Sequence, residues 1–356
     1  MSKPLRIGLV GAGWVARPHV EGWLALKDKA RVTSVADVNL AAARQLADPL
    51  GAMAFGDYRE LLAHGGLDAV DICVPPHLHV DIVPAAAALG LHVLCEKPLA
   101  CDLQEADRIG QSVQAAGITY MPAHNSLFYP TTRLARAYLD HGDLAEVYFV
   151  RTSEHYPTIA AQRWGANPLA APEPDYGATW RGSKAQLKGG ALMDGGYHPI
   201  YRLLYLARSE PVSVHALMAR FRQGVRWEAE DTALVSIRFS DGSLGEALIT
   251  YAFDSLRSDH DRLFAIAGQE GILLGNEHSL YLKPAGWSDF APQSLSPLRG
   301  EPAWRASIAA EIEHFAESVL LGRPPIQTFA DARRALRVVR AAYESAERGI
   351  SVELEP

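Results

Sequence analysis

Arg6-Ile7-Gly8-Leu9-Val10-Gly11-Ala12-Gly13-Trp14-Val15-Ala16 runs from an apolar stretch of strand length straight into a glycine turn. From Gly11 to Ala16 the spacing is G-x-G-x-x-A. Gly11 permits the tight turn, Gly13 removes the Cβ that would hold a pyrophosphate off the backbone, and Ala16 lets a following helix lie close to a sheet. A pyrophosphate placed there meets unpaired N–H groups and the positive end of the helix dipole. Trp14 and Val15, inside the turn, are expected beside the same ligand. Glycine-rich turns between strand and helix are common, so this pattern gains its weight from what surrounds it.

Around it, the segments Arg6–Val10, Val32–Asp37, Ala69–Val74 and His92–Cys95 read as strands separated by Ala-rich amphipathic stretches. That alternation predicts a parallel sheet with crossover helices. Asp81–Gly90 reads as one such helix, with Pro84 tolerable early and Gly90 suited to a left-handed cap. Asp37 closes the second strand, about 20 residues past the fingerprint, where a carboxylate accepts hydrogen bonds from the adenosine ribose and repels a 2′-phosphate. The expected cofactor is therefore NAD, with NADP as the second possibility. A plainer reading of Asp37 is a cap on the turn before Asn39.

After Asn125 the strands lengthen: Glu146–His155, Val212–Phe221, Thr232–Phe239 and Leu244–Tyr251. Asp241-Gly242 predicts a hairpin between the last two, since both residues accept positive φ. The fold class expected is α/β, with a doubly wound parallel sheet over residues 1–123 and a second α/β domain over 124–356 built on a large, open, mainly antiparallel sheet. Two Pro-rich stretches, Pro157–Pro174 and Pro284–Pro302, are expected to be irregular, and helices Ala306–Leu321 and Phe329–Glu347 close the chain.

Composition narrows the function. The chain has 356 residues, enough for two cores, with 48% hydrophobic and 21% charged residues, as in an ordinary globular enzyme. A formal charge of -7 argues against nucleic acid, whose binding needs clustered Lys and Arg. With the first strand near Leu5 and no apolar run of bilayer length, neither a signal peptide nor a membrane is expected. Cys73, Cys95 and Cys101 have neither disulfide nor zinc spacing. A cytoplasmic setting, no metal and a small-molecule substrate are the expectations.

Two further stretches carry chemistry. Val74-Pro75-Pro76-His77-Leu78-His79 and Cys95-Glu96-Lys97-Pro98 follow consecutive strands at their C-terminal ends, where doubly wound sheets bind ligands. Lys97 is a cation able to hold a hydroxyl or polarise a carbonyl; paired with Glu96 it is equally a surface ion pair. Farther on, Gly189-Gly190-Ala191-Leu192-Met193-Asp194-Gly195-Gly196-Tyr197-His198 places Asp194 and His198 four residues apart, on one face of a helix that begins there.

Together these stretches resemble the glucose-fructose oxidoreductase and inositol dehydrogenase family, written Gfo/Idh/MocA. The resemblance implies a catalytic group of Lys97, Asp194 and His198, and a sugar or cyclitol carrying the reacting hydroxyl or carbonyl. His198 is the suited general base, since neutral imidazole titrates near operating pH. Pro75, His79, Glu96 and Lys97 are implied near the nicotinamide. His79 is alternatively a residue that bonds only backbone. Specificity is expected from side chains around His155, Trp164 and Tyr176. Trp180-Arg181 also matches, with Arg181 either contacting substrate or forming a structural ion pair. The resemblance further implies a cis Lys97-Pro98 peptide and a homodimer or homotetramer formed through the sheet face. One departure stands out: the family pattern continues H-x-x-D, and here Tyr201 occupies the carboxylate's place. Two alternatives remain on the sequence, a non-catalytic dinucleotide sensor and an NADP-dependent keto-sugar reductase.

Overall fold

The computed structural model describes residues 3–155, 179–221, 228–252 and 262–355. Chain contacts divide it into two units, one of Met1–Asn125 with Arg305–Arg333, the other of Ser126–Trp304 with Arg334–Pro356.

In the first unit, β1 (Leu5–Val10), β2 (Ala30–Ala36), β3 (Met53–Phe55), β4 (Ala69–Ile72), β5 (His92–Glu96) and β6 (Tyr120–Ala123) form a 6-stranded sheet in the order β3-β2-β1-β4-β5-β6. Every pairing is parallel. This is the doubly wound order, with the switch point between β1 and β4. All four residues of β4 are buried, as expected for a strand covered on both faces. The crossovers are α1 (Ala16–Ala25), α2 (Leu40–Ala47), α3 (Tyr58–His64), α4 (His79–Ala87) and α5 (Leu103–Ala116). Side-chain caps start three of them: Asn39 accepts from Ala42 N–H, Asp57 from Arg59 N–H and Asp102 from Glu105 N–H. The three-residue β3 is too short to carry a period in the sequence, and went unread.

The second unit contains α6 (Pro130–His141), β7 (Val147–His155), α7 (Lys184–Leu187), α8 (Tyr197–Ala207), β8 (Pro211–Ala219), β9 (Thr232–Phe239), β10 (Leu244–Thr250), β11 (Arg262–Gly268), β12 (Gly271–Gly275), β13 (Ser279–Pro284) and β14 (Ala291–Leu295). Then come α9 (Gly300–Leu321), which begins here and passes into the first unit, α10 (Phe329–Arg348), which returns, and β15 (Val352–Glu353). The 9-stranded sheet runs β14-β13-β12-β11-β7-β10-β9-β8-β15. It is antiparallel except where β7 lies parallel to β10. Strand β9 alternates between buried Ala233, Val235, Ile237 and Phe239 and outward Leu234, Ser236 and Arg238, so one face packs and the other is open. Helix α8 covers the packed face, with the Thr152 hydroxyl of β7 donating to Pro199 O at 2.9 Å.

Two local expectations are corrected. Pro284–Pro302 is not wholly irregular: Ala291–Leu295 pairs with β13, where Pro292 is tolerated because β14 is an edge strand. In the β9–β10 turn only Gly242 takes positive φ, at 88°. Asp241 instead holds the turn by accepting from both the N–H and hydroxyl of Ser243. Pro157–Pro174 lies outside the described residues. Among those described, no helix is long and apolar enough to cross a membrane.

Candidate active site

In the first unit the fingerprint forms at the end of β1. Gly11 has φ 99°, and a Cβ there would lie 2.6 Å from Cys73 O, so only glycine fits between β1 and β4. A Cβ on Gly13 would meet nothing within 4 Å. Protein packing therefore does not explain that glycine, and its backbone is open to a ligand. Val15 precedes α1, Ala16 is fully buried against the sheet and Trp14 is 46% exposed at the turn. Asp37 serves the turn itself. One oxygen accepts Ala12 N–H at 2.7 Å and the other Asn39 N–H at 2.7 Å. The turn-capping role is thus present, and each carboxylate oxygen retains a second lone pair for a ribose hydroxyl. Exposed Gly13, Asp37 and the start of α1 form a cradle that fits an adenine dinucleotide.

At the neighbouring strand ends, Pro75 precedes a short turn and His79 begins α4. His79 is fully buried, with Nε2 3.0 Å from Val74 O and Nδ1 3.3 Å from Leu99 O. Burial pushes its imidazole below the ordinary range, so the ring is neutral and has one N–H for the two carbonyls. It staples the loop after β4 to the loop after β5. Glu96 ends β5, and its Oε2 accepts the backbone N–H of Lys97 at 3.0 Å. Lys97 is partly buried, and the Lys97-Pro98 peptide is cis.

In the second unit, helix α8 begins at Tyr197, so Asp194 stands in the turn ahead of it and not on its face. Glycines 195 and 196 disfavour an earlier helix start, and the turn closes through Asp194 N–H to Gly190 O and Gly196 N–H to Ala191 O. Asp194 is 4% exposed. Its Oδ2 accepts the Tyr251 hydroxyl at 2.9 Å, and Oδ1 lies 3.4 Å from Arg181 Nε. The Arg181 guanidinium also stacks on Trp180 at 4.3 Å. Partly exposed His198 has Nδ1 3.3 Å from Ser126 Oγ. Tyr201 is buried, its ring 6.2 Å from that of Tyr197; an aromatic contact occupies the place of the carboxylate in the family pattern.

The same turn is clamped from below. Tyr343 of α10 accepts the N–H groups of Gly190 and Met193 at 2.8 and 3.2 Å and donates to Glu230 Oε1 at 2.7 Å, which also takes Leu192 N–H at 3.0 Å. A Cβ on Gly190 would lie 2.3 Å from Glu230 O, so the glycine allows this approach. Burial raises the Glu230 carboxyl above its usual range. Parallel β7 and β10 bring His155 beside Thr250, one residue before Tyr251, at the sheet end where Gly195 N–H also meets the Tyr251 hydroxyl. Trp164 and Tyr176 lie outside the described residues. Motif spacing singled out Asp194 and His198, and the resemblance singled out Arg181, which here pairs with Asp194. Sequence reading missed Glu230, Tyr251 and Tyr343, which reach the turn from distant elements, and Ser126, which meets His198; none belongs to a motif.

A sequence model of an oxidoreductase family with an NAD-binding Rossmann fold matches residues 5–124, and one for that family's C-terminal alpha/beta domain matches residues 136–354. Among curated proteins, the chain is 30% identical over 342 residues to D-xylose 1-dehydrogenase (NADP(+)) 2 of Haloferax volcanii, covering 96% of this chain and 94% of that one. To myo-inositol 2-dehydrogenase of Thermotoga maritima it is 26% identical over 360 residues, covering 99% of each. Among solved structures, a levoglucosan dehydrogenase in complex with NADH and levoglucosan shares the fold with a TM-score of 0.86 at 24% identity, covering 99% of this chain and 100% of that one.

Proposed function

The chain belongs to the Gfo/Idh/MocA oxidoreductase family, and on that premise we propose that it transfers hydride between a nicotinamide cofactor and a hydroxyl or carbonyl carbon of a sugar, sugar derivative or cyclitol. Its catalytic group is Lys97, Asp194 and His198. Asp194 carries this reading. A carboxylate withdrawn from water costs several kcal/mol unless its partners compensate, and here a phenol and a guanidinium hold it in the turn four residues ahead of the partly exposed His198. The named activities of the relatives on xylose and myo-inositol support the substrate class.

Gly11, Gly13, Trp14, Val15 and Ala16 hold the pyrophosphate, Asp37 the adenosine ribose, and Pro75 and Glu96 the nicotinamide end. Bound NAD supplies the ring that takes up the hydride. In the oxidative direction His198 accepts the hydroxyl proton as the C–H electron pair leaves. The Lys97 ammonium holds the reacting oxygen and stabilises the charge that develops on it. Asp194 orients the substrate and steadies the imidazolium. Arg181 and His155 border the substrate, with Arg181 acting through its pairing with Asp194. NAD is preferred over NADP because a 2′-phosphate would face the Asp37 carboxylate.

The outward face of the 9-stranded sheet, including Leu217, Leu234, Leu244 and Ile272, is the surface through which copies of the chain pair.

Absorbance of the reduced nicotinamide, followed with NAD or NADP over a panel of cyclitols, aldoses and sugar acids, tests the proposal. We expect turnover with NAD, and a fall in kcat of about a hundred- to thousandfold in Lys97→Ala. Tight cofactor binding without turnover across the panel would favour a dinucleotide sensor, and a preference for NADPH would show that Asp37 is misread.

A further inference from the structure

Beneath the strand ends of the first unit lies a cluster of charge that the chemistry above does not use. His19 of α1 and Asp71 of β4 are both fully buried. His19 Nδ1 lies 3.0 and 2.9 Å from the two Asp71 oxygens, and the Trp23 indole donates to Asp71 Oδ2 at 2.8 Å. On the far side of the ring, Nε2 is 3.3 Å from Glu96 Oε1, an ion-pair contact without hydrogen-bond alignment. The other oxygen of Glu96 accepts the backbone N–H of Lys97. An unbroken chain of contacts therefore runs from Asp71 through His19 and Glu96 to the residue assigned to the reacting oxygen.

Apolar side chains of similar volume would stabilise this core as well or better, because desolvating an ion pair costs about what the attraction returns. Asp71 sits between Val70 and Ile72 in a strand buried throughout, where packing alone calls for another aliphatic residue. We propose that the His19–Asp71 pair is a positioning device that holds Glu96, and through Glu96 the backbone of Lys97, so that the Lys97 ammonium starts from a fixed place. The proposal rests on the reading of Lys97 given above.

The charge balance fits. Burial opposes a charged His19, yet Asp71 carries the imidazolium well above the ordinary histidine range, so both nitrogens bear protons, with Nδ1 donating to Asp71 and Nε2 at ion-pair distance from Glu96. Burial also raises the nearby Glu311 carboxyl well above its usual range, leaving it neutral and bonded to the Gln327 amide at 3.0 Å. His19, Asp71 and Cys73 do offer three possible metal-ligand atoms within 4.8 Å of one another. The direct His19–Asp71 bond, the Trp23 donor and a Cys73 thiol kept protonated by burial favour a hydrogen-bonded network instead.

The test begins with the unmodified protein labelled with ¹⁵N-histidine. The His19 ring should show both nitrogens protonated through the pH range in which ordinary histidines titrate; a neutral ring near neutral pH overturns the proposal, as does stoichiometric transition metal in the purified protein. Asp71→Asn preserves shape and the acceptor for Trp23, and His19→Gln removes the ring. In both, the Lys97 amide should lose protection from hydrogen exchange while the secondary structure, read by circular dichroism, is retained. On whichever of myo-inositol, D-xylose or levoglucosan the unmodified protein oxidises, kcat should fall about ten- to a hundredfold with little change in KM. The double variant should be no worse than the more damaged single one, since the pair acts as a unit. Unchanged Lys97 protection overturns the device. Lost protection with full turnover upholds the device and refutes the catalytic reading of Lys97. Should a variant fail to fold, the histidine measurement on the unmodified protein decides.

Discussion

Gly11 and Gly13 flank Ala12, yet different constraints act on them. The first is locked by the protein's own backbone; the second faces open space. Gly11→Ala should therefore lower stability by about 1–3 kcal/mol through a clash and a strained φ, visible as a lower denaturation midpoint. Gly13→Ala should fold with an unchanged midpoint and lose NAD affinity, measured by titration. A Gly13→Ala protein that binds NAD normally would remove the fingerprint's functional meaning. Both glycines were legible because a turn motif is local. Asp37 shows the limit of such reading: its place in the sequence suggested either a ribose contact or a turn cap, and the structure shows the cap in atomic detail.

Among elements, the turn before α8 draws its shape from outside itself. Its Gly-rich sequence disfavours regular structure, and Tyr343 and Glu230 gather its N–H groups. Tyr343→Phe deletes two acceptor contacts and one donor in a buried place. The expected loss is about 1–3 kcal/mol, read by chemical denaturation, with a fall in kcat at unchanged NAD affinity because the cofactor cradle belongs to the other unit. A variant with wild-type kcat would show that the turn keeps its shape without the clamp. The strands of the second unit were read well where alternation was long, as in Thr232–Phe239. Strands β11, β12, β13 and β15 went unnamed, and β14 reads as irregular because two edge-strand features, a proline and a polar run, resemble loop.

At the scale of the molecule, the open face of the 9-stranded sheet presents large apolar side chains that folding of one chain leaves in water, Leu217 at 63% and Leu244 at 50% exposure among them. Leu234→Glu, on β9 in that face, should shift the protein to a smaller species in light scattering while leaving the fold intact by circular dichroism. A monomeric unmodified protein would refute the pairing, and an oligomer indifferent to the change would place the pairing surface elsewhere.

What the sequence by itself determined was whatever repeats or punctuates over short distances: the strand–turn–helix grammar, the two glycine motifs, the Glu96-Lys97-Pro98 turn and the change to long alternating strands. These are legible because backbone sterics and side-chain period act between near neighbours. Only the tertiary structure decided that residues 305–333 pack with the first unit, that His19 meets Asp71 and Glu96 in its core, and that Tyr343 reaches back to the turn carrying Asp194. Those contacts join residues far apart in the chain, where burial and hydrogen-bond satisfaction choose partners and local propensity has no say.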